Sequence, residues 1–257
     1  MLRIRFDGAA EEILGSPESA LGDLTGLFVA PDGFEGWDDG GGDARRESID
    51  RPSNHGEFDL PVYHGARVFS IDGWALATTD EELAHLRSIV TGIGATGDRV
   101  KVTVEHQGQT LWAYARRALR TTFRDSGIRH GLRRARFVMQ FSAADPRKYG
   151  EVRDVPAGTP AAHRGNFPAM PLLMVGAGSG GYTVTGPNGR VVVVVTAPAA
   201  AHYIDFATGG LYTAAGVRQV GAITTYQPWS IPAGLPGVTA SINGSRTLTQ
   251  RVTDTFI

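Results

Sequence analysis

The residues best suited to chemistry in this chain are an acidic cluster, a glycine-rich turn and a run of arginines. Asp38, Asp39 and Asp43 stand close together, as a hard-cation site would require, because Ca²⁺ is held by several carboxylate oxygens. Their spacing lacks the alternating acidic positions and the final Glu of an EF-hand loop, so the cluster reads as a solvated or partner-facing acidic loop. Seven histidines, at 55, 64, 85, 106, 130, 163 and 202, form no HxH, HExxH or other close pair, and the chain has no Cys. No metal site is therefore expected, and thiolate chemistry and disulfides are excluded.

The stretch Gly176-Ala177-Gly178-Ser179-Gly180-Gly181 approaches two catalytic signatures without meeting either. A nucleophile elbow needs GxSxG between a strand and a helix, and here the residues are out of register. A dinucleotide fingerprint also needs a following helix, whereas YTVT comes next and is strand-like. A tight loop is expected. From residue 165 onward the only carboxylates are Asp205 and Asp254, too few to favour a glycosidase pair. No enzyme activity and no cofactor are expected.

Eight arginines, Arg116, Arg117, Arg120, Arg124, Arg129, Arg133, Arg134 and Arg136, fall within 21 residues and are opposed only by Asp125. Phosphate neutralisation uses such clusters. No nucleic-acid motif accompanies the run, however, and an acidic partner lies in the same chain. Residues 1–60 hold 14 Asp or Glu against 5 Arg, and residues 61–150 hold 14 Lys or Arg against 8 acids. Guanidinium groups pair bidentately with carboxylates, so the two stretches read as surfaces that meet each other or copies of themselves, and not as a nucleic-acid site. Arg116, Arg120, Arg134 and Arg136 are the candidates on the basic side. Asp38 and Asp39 are the candidates on the acidic side, with the large rings Phe34, Trp37 and Phe58 as apolar anchors in the loop that carries them.

These residues must be positioned by a chain of 257 residues, long enough for two domains. Its 34 Gly and 14 Pro exceed ordinary usage and point to many turns and short strands. No window is long and apolar enough for a membrane helix, and the N-terminus lacks the pattern of a secretory signal. Leu2, Ile4 and Phe6 alternate with Arg3 and Arg5, as a half-buried strand does. Residues 30–60 read as a long irregular loop, and residues 66–77 as a strand. Thr79 stands three residues before Glu82, the spacing of a capping box, and Leu83, Leu86, Val90 and Ile93 continue as one helical stripe. A hairpin through Gln107-Gly108 and a further strand at Ala135, Phe137, Met139 and Phe141 complete an α+β layer over residues 1–150. Residues 151–170, with Pro156, Pro160 and Pro168, read as a linker. Residues 171–257 read as a β-sandwich, with hairpin turns at Asn188-Gly189 and Asn243-Gly244.

Three stretches in this order carry a family resemblance: the loop and strand from Gly33 to Gly73 (GFEGWDDGGGDARRESIDRPSNHGEFDLPVYHGARVFSIDG), RFVMQFSAADPRKYG from Arg136 to Gly150, and HYIDFATGGLY from His202 followed by QPWSIPAG from Gln227. Together they resemble the distal tail proteins of bacteriophages with long non-contractile tails, often described as minor tail proteins. The resemblance implies a mostly β chain: an N-terminal split-barrel-like domain related to the tail tube protein, with one helix, then a galectin-like β-sandwich. It further implies a structural virion protein at the distal tail tip, made in the host cytoplasm. Such a protein forms a hexameric ring that joins the tail tube protein to the tip hub, or baseplate, and other minor tail proteins. The alternative is a carbohydrate-binding tail module that meets the cell surface through Tyr203, Tyr212, Tyr226 and Trp229.

Overall fold

The computed structural model describes residues 1–15 and 24–257, and the chain falls into two compact units, Met1–Lys148 with Ile257, and Tyr149–Phe256. In the first unit the strands are β1 (Arg3–Phe6), β2 (Ile13–Leu14), β3 (Gly26–Glu35), β4 (Ala44–Arg45), β5 (Tyr63–His64), β6 (Arg67–Ala77), β7 (Val100–His106), β8 (Gln109–Arg117), β9 (Thr122–Arg129) and β10 (Leu132–Ala143). Seven of them run in the order β8-β7-β1-β2-β3-β6-β10, and β10 returns to pair with β8, closing a barrel. Among the described residues of this ring, only β2 and β3 pair in parallel. Closure removes sheet edges, but β9 pairs with β10 outside the ring of strands and keeps one edge open.

The barrel interior follows from alternation. Phe69, Ile71, Ala75 and Ala77 of β6 face inward beside Ala135, Phe137, Met139 and Phe141 of β10, all fully buried or nearly so. Gly73 breaks the series for a packing reason. A Cβ there would lie 2.5 Å from the Phe137 ring and 2.4 Å from the Phe28 carbonyl oxygen, so only glycine lets β3, β6 and β10 approach. The hairpin between β7 and β8 has left-handed Gln107 and Gly108, the two positive-φ residues that a type I′ turn demands.

Helix α1 (Asp80–Gly92) begins at the capping box read from the sequence: Thr79 accepts from the Glu82 amide while Glu82 accepts from the Thr79 amide. Its buried side is Leu83, Leu86 and Val90, followed by Ile93. No basic residue lies in its last turn. Instead the Arg117 guanidinium, from β8, donates to the carbonyls of Thr91 and Ile93, supplying the cation that a helix C-terminus favours. Among the described residues no helix is long and apolar enough to cross a membrane.

The second unit contains β11 (Lys148–Pro156, whose first residue belongs to the first unit), β12 (Leu172–Val175), β13 (Tyr182–Thr185), β14 (Val191–Val194), β15 (His202–Asp205), β16 (Gly210–Thr213), β17 (Arg218–Gln219), β18 (Ile223–Tyr226), β19 (Ser241–Ile242) and β20 (Leu248–Phe256). They form two sheets, β17-β16-β15-β12-β20-β11 and β18-β14-β13-β19. Leu173, Val175, Ile204, Leu211, Leu248 and Val252 from the first share one apolar cluster with Tyr182, Val184, Val192 and Val194 from the second.

Three local expectations need correction. Residues 151–170 are not a linker: β11 occupies the first part, and Ala161 and Ala169 bridge to Val238 and Ile231 with His163 buried beside them. The His163 ring accepts from the Gly165 amide and donates to the Ile231 carbonyl, so prolines there punctuate packed chain. The loop at 30–60 is shorter than expected, because β3 runs through Glu35 and the chain from β4 to β5 folds as a ribbon, with Asp50 bridged to Glu57. Asn188-Gly189 does join β13 to β14 with two left-handed residues. Asn243-Gly244 makes no hairpin, since β19 and β20 belong to different sheets. There the Asn243 side chain accepts from the Thr183 amide.

Candidate functional site

Two of the segments that carry the family resemblance meet in the first unit around a buried cation pair that the sequence did not single out. Arg67, at the start of β6, is 0% exposed, and Lys148 is 5% exposed. Arg67 Nε donates to the Pro146 carbonyl at 2.8 Å, and its Nη1 donates to the carbonyls of Gly36, Trp37 and Asp39 at 2.8–3.0 Å. Lys148 Nζ donates to the Trp37 carbonyl at 2.6 Å. One guanidinium thus gathers the turn after β3 and the turn before β11. Gly36 permits this at φ +80°, where a Cβ would lie 2.1 Å from the Val68 carbonyl oxygen.

Burial is the main force lowering the pKa of both cations. In Lys148 the neighbouring Arg67 charge adds to it, and in each the acids Asp38 and Asp39 oppose it. Asp38 lies 3.8 Å from Lys148 Nζ and 3.3 Å from His106 Nδ1. The acidic pair therefore serves as counter-charge to the buried cations while remaining exposed. Among the described residues no group of three or more His, Asp or Glu is gathered as a metal would need.

Trp37 is a core residue and not an exposed anchor. It is 1% exposed, packs edge-on to Phe69 at 5.3 Å and stacks on half-buried Phe34 at 6.1 Å. The aromatic chain continues from Phe69 to Phe141 and on to Phe6. Its backbone, caught by Arg67 and Lys148, turns the ring inward, where burial of its large surface is favourable. Phe58 keeps the exposed position expected of it, 48% open beside Arg51. It sits on the β4–β5 ribbon with exposed Ile49, Val62 and Tyr63.

The arginine run divides into paired and unpaired members. Arg136 makes a bidentate pair with Asp72, and Arg134 lies 4.5 Å over the Trp74 ring. Both partners are on β6, so these two side chains are committed within the chain, although to Asp72 and Trp74 and not to the acidic stretch of residues 1–60. Arg133 pairs with Asp80, and Arg116 donates to the Gly97 carbonyl. Arg120, Arg124 and Arg129 are exposed and have no partner among the described residues. They flank or lie on β9, the strand with the open edge. On the acidic side Asp43, Glu47 and Asp59 are likewise exposed and unpaired. Glu18 and Asp23 of the acidic stretch fall outside the described residues.

In the second unit the glycine-rich turn is a latch. Arg246 donates to the carbonyls of Gly176, Gly178 and Gly180 and lies over the Tyr182 ring. A Cβ would come 2.7 Å from Arg246 Cγ at Gly178 and 2.3 Å from Thr247 Oγ1 at Gly176, while Gly180 takes a φ of +74°, which together account for the alternating glycines. The buried Tyr182 hydroxyl donates to His202 Nε2 at 2.7 Å, while His202 Nδ1 donates to the Ala200 carbonyl. Burial lowers the His202 pKa and raises that of Tyr182. Of the four aromatic candidates, Trp229 is 3% exposed and packs against Phe206, so it cannot face a sugar. Tyr226 is 37% exposed on β18, and Tyr203 and Tyr212 stack at 5.4 Å on the other sheet.

A closed barrel carrying one helix, followed by a two-sheet unit, defines a fold class seen in phage tail assemblies. The chain has the fold of the Dit hub protein of phage SPP1, described as a paradigm of the hub adsorption apparatus in phages infecting Gram-positive bacteria. The TM-score is 0.70 at 15% identity, with 100% of both chains covered. Chains of the phage P2 baseplate in its activated conformation are also similar, with TM-scores of 0.54 with Ca and 0.52 with Sr, each at 7% identity. They cover 99% and 98% of this chain and 98% of their own. No family model and no curated protein matches the sequence.

Proposed function

We propose that this chain is a structural distal tail protein, which assembles as a ring at the end of a phage tail tube. The observation that carries the reading is the whole-length likeness to the SPP1 Dit hub, with both units included. In this reading the barrel is the tail-tube-related, ring-forming part and docks on the tail tube protein. The second unit is a galectin-like β-sandwich turned toward the tip hub and other minor tail proteins. The work of such a protein is assembly and not catalysis.

Head-to-tail contact between copies generates a closed ring when its rotation closes. The unpaired Arg120, Arg124 and Arg129 and the exposed ribbon from β4 to β5, with Glu47, Asp59 and Phe58, are the complementary surfaces such a contact needs. Six copies is the number that the resemblance to distal tail proteins supplies. Electron microscopy of tails from the phage encoding this chain tests the reading. A ring at the distal end of the tube that accepts this fold is expected, and a tail-tip map without one would overturn it.

A further inference from the structure

In the first unit a cleft of about 350 Å³ opens where the turn after β1 meets the C-terminal end of α1. That volume lies at the lower end of the range of small-molecule sites. Phe6, Ile89, Ile93 and Val100 give the cleft an apolar wall. Asp7 is the one charged residue that lines it, and its carboxylate has no hydrogen-bond or ion-pair partner among the described residues. Lys101, whose carbonyl oxygen accepts from the Asp7 amide, holds its ammonium 5.0 Å over the Trp112 ring and leaves Asp7 unneutralised.

The facing wall is the last turn of α1, with Ser88 and Gly92. Aligned peptide dipoles give this end of a helix a partial negative charge. Arg117 answers it at the carbonyls of Thr91 and Ile93, but Arg117 does not line the cleft. The Ser88 hydroxyl spends its proton on the Ala84 carbonyl, which leaves its oxygen as an acceptor. A carboxylate, a helix C-terminus and a hydroxyl oxygen therefore surround one apolar cleft.

We propose that this cleft binds a primary alkylammonium group, the ammonium at Asp7 and Ser88 and the methylene stem along Phe6, Ile89, Ile93 and Val100. An anion would meet like charge on both walls, and a neutral ligand would leave the carboxylate without a counter-charge. A divalent cation takes several oxygen ligands, and among the described residues no group of three His, Asp or Glu is gathered. An ammonium has three donors that rotate on a flexible stem and can meet acceptors on two walls, whereas a guanidinium presents a rigid planar fork. Two sources carry this chemistry, the lysine side chain of another protein and a free diamine. The inference does not rest on the ring reading, because a binding cleft at this end of α1 is required by no ring contact.

An amide-resolved NMR titration of the full-length protein tests it, with cadaverine, Nα-acetyl-lysine methylamide, pentanediol and glutarate as probes. Both ammonium probes are expected to shift the Gly92 and Gly94 amides to saturation with a Kd on the order of 1 mM, and the diol and the diacid to leave them unmoved. Tighter binding of the capped lysine assigns the cleft to a protein side chain, and tighter binding of cadaverine to a free diamine. Asp7→Asn should weaken binding about tenfold or more. A Cβ on Gly92 would meet nothing within 4 Å among the described residues, so Gly92→Leu should occupy the cleft and abolish binding while α1 stays folded. Glu81→Gln, at the other end of α1, should change nothing. The proposal fails if neither ammonium probe saturates, if pentanediol binds as well as cadaverine, or if binding persists unchanged in folded Asp7→Asn and Gly92→Leu proteins. A tail-tip map lacking the ring would leave this result untouched, and a failed titration would leave the ring untouched.

Discussion

Arg67 and Lys148, two buried cations, donate to the same acceptor, the carbonyl oxygen of Trp37. Their sharing is unequal, since Arg67 also holds three further carbonyls. Arg67→Ala should therefore orphan several buried acceptors and cost about 3 kcal/mol or more. Lys148→Met leaves Trp37 bonded to Arg67 and removes a like-charge neighbour, so it should cost about 1 kcal/mol or less. Urea denaturation of both variants checks the order, and equal losses would contradict the shared-acceptor account.

Trp37→Ala removes a core ring and should destabilise the protein by about 3–5 kcal/mol. Phe58→Ala should change stability by less than about 0.5 kcal/mol and impair tail assembly. Thermal melts set against an assembly assay separate the two roles. A Phe58→Ala protein that melts like Trp37→Ala would place Phe58 in a core.

The open arginines and the paired ones should behave differently on charge reversal. Arg124→Glu is expected to leave the monomer folded and block ring formation, with partial recovery when an acidic residue on the β4–β5 ribbon is reversed to Lys. Arg136→Glu should instead set a carboxylate against Asp72 and loosen the β6–β10 pairing. Filter binding to DNA over a salt series gives the opposing outcome. Tight binding near physiological salt, lost in Arg120, Arg124 and Arg129 variants, would make the free arginines a phosphate-binding surface.

His202 should make the second unit acid-sensitive. Its pKa is lowered in the folded protein from an ordinary 6.5, so the unfolded chain takes up the proton more readily. The stability is fully present above pH 6.5 and falls as pH drops from there toward the folded value. His202→Asn should flatten the difference in melting temperature between pH 7.5 and pH 5. Tyr182→Phe leaves Nε2 unpaired and should cost about 1–2 kcal/mol. A pH profile identical in wild type and His202→Asn would refute this role.

Local patterns carried much of the fold. Alternation over Ala135–Phe141 located β10, and Thr79 with Glu82 located the start of α1, because both signals depend on neighbours in sequence. The burial of Trp37 was hidden because its captor, Arg67, lies 30 residues away, and Pro146, which Arg67 also binds, is farther still. An isolated aromatic in a Gly/Asp-rich stretch looks exposed until the cation that turns it inward is known. The arginine run misled in the same way, since Asp72 and Trp74, the partners of Arg136 and Arg134, sit about 60 residues upstream. Barrel closure rests on two register pairs between β8 and β10, too short a match to leave any periodic trace. At Asn243-Gly244 the dipeptide signalled a hairpin, but the Asn side chain was used to bind Thr183.

The second unit is entered along β11 and left along β20, and these two strands are neighbours in one sheet. Arg153 reaches Asp254 and Arg251 reaches Asp154 across them, so the incoming and outgoing chain run side by side. The first and last strands of this unit thereby pin each other, so fraying of either one costs the other its ladder partner as well.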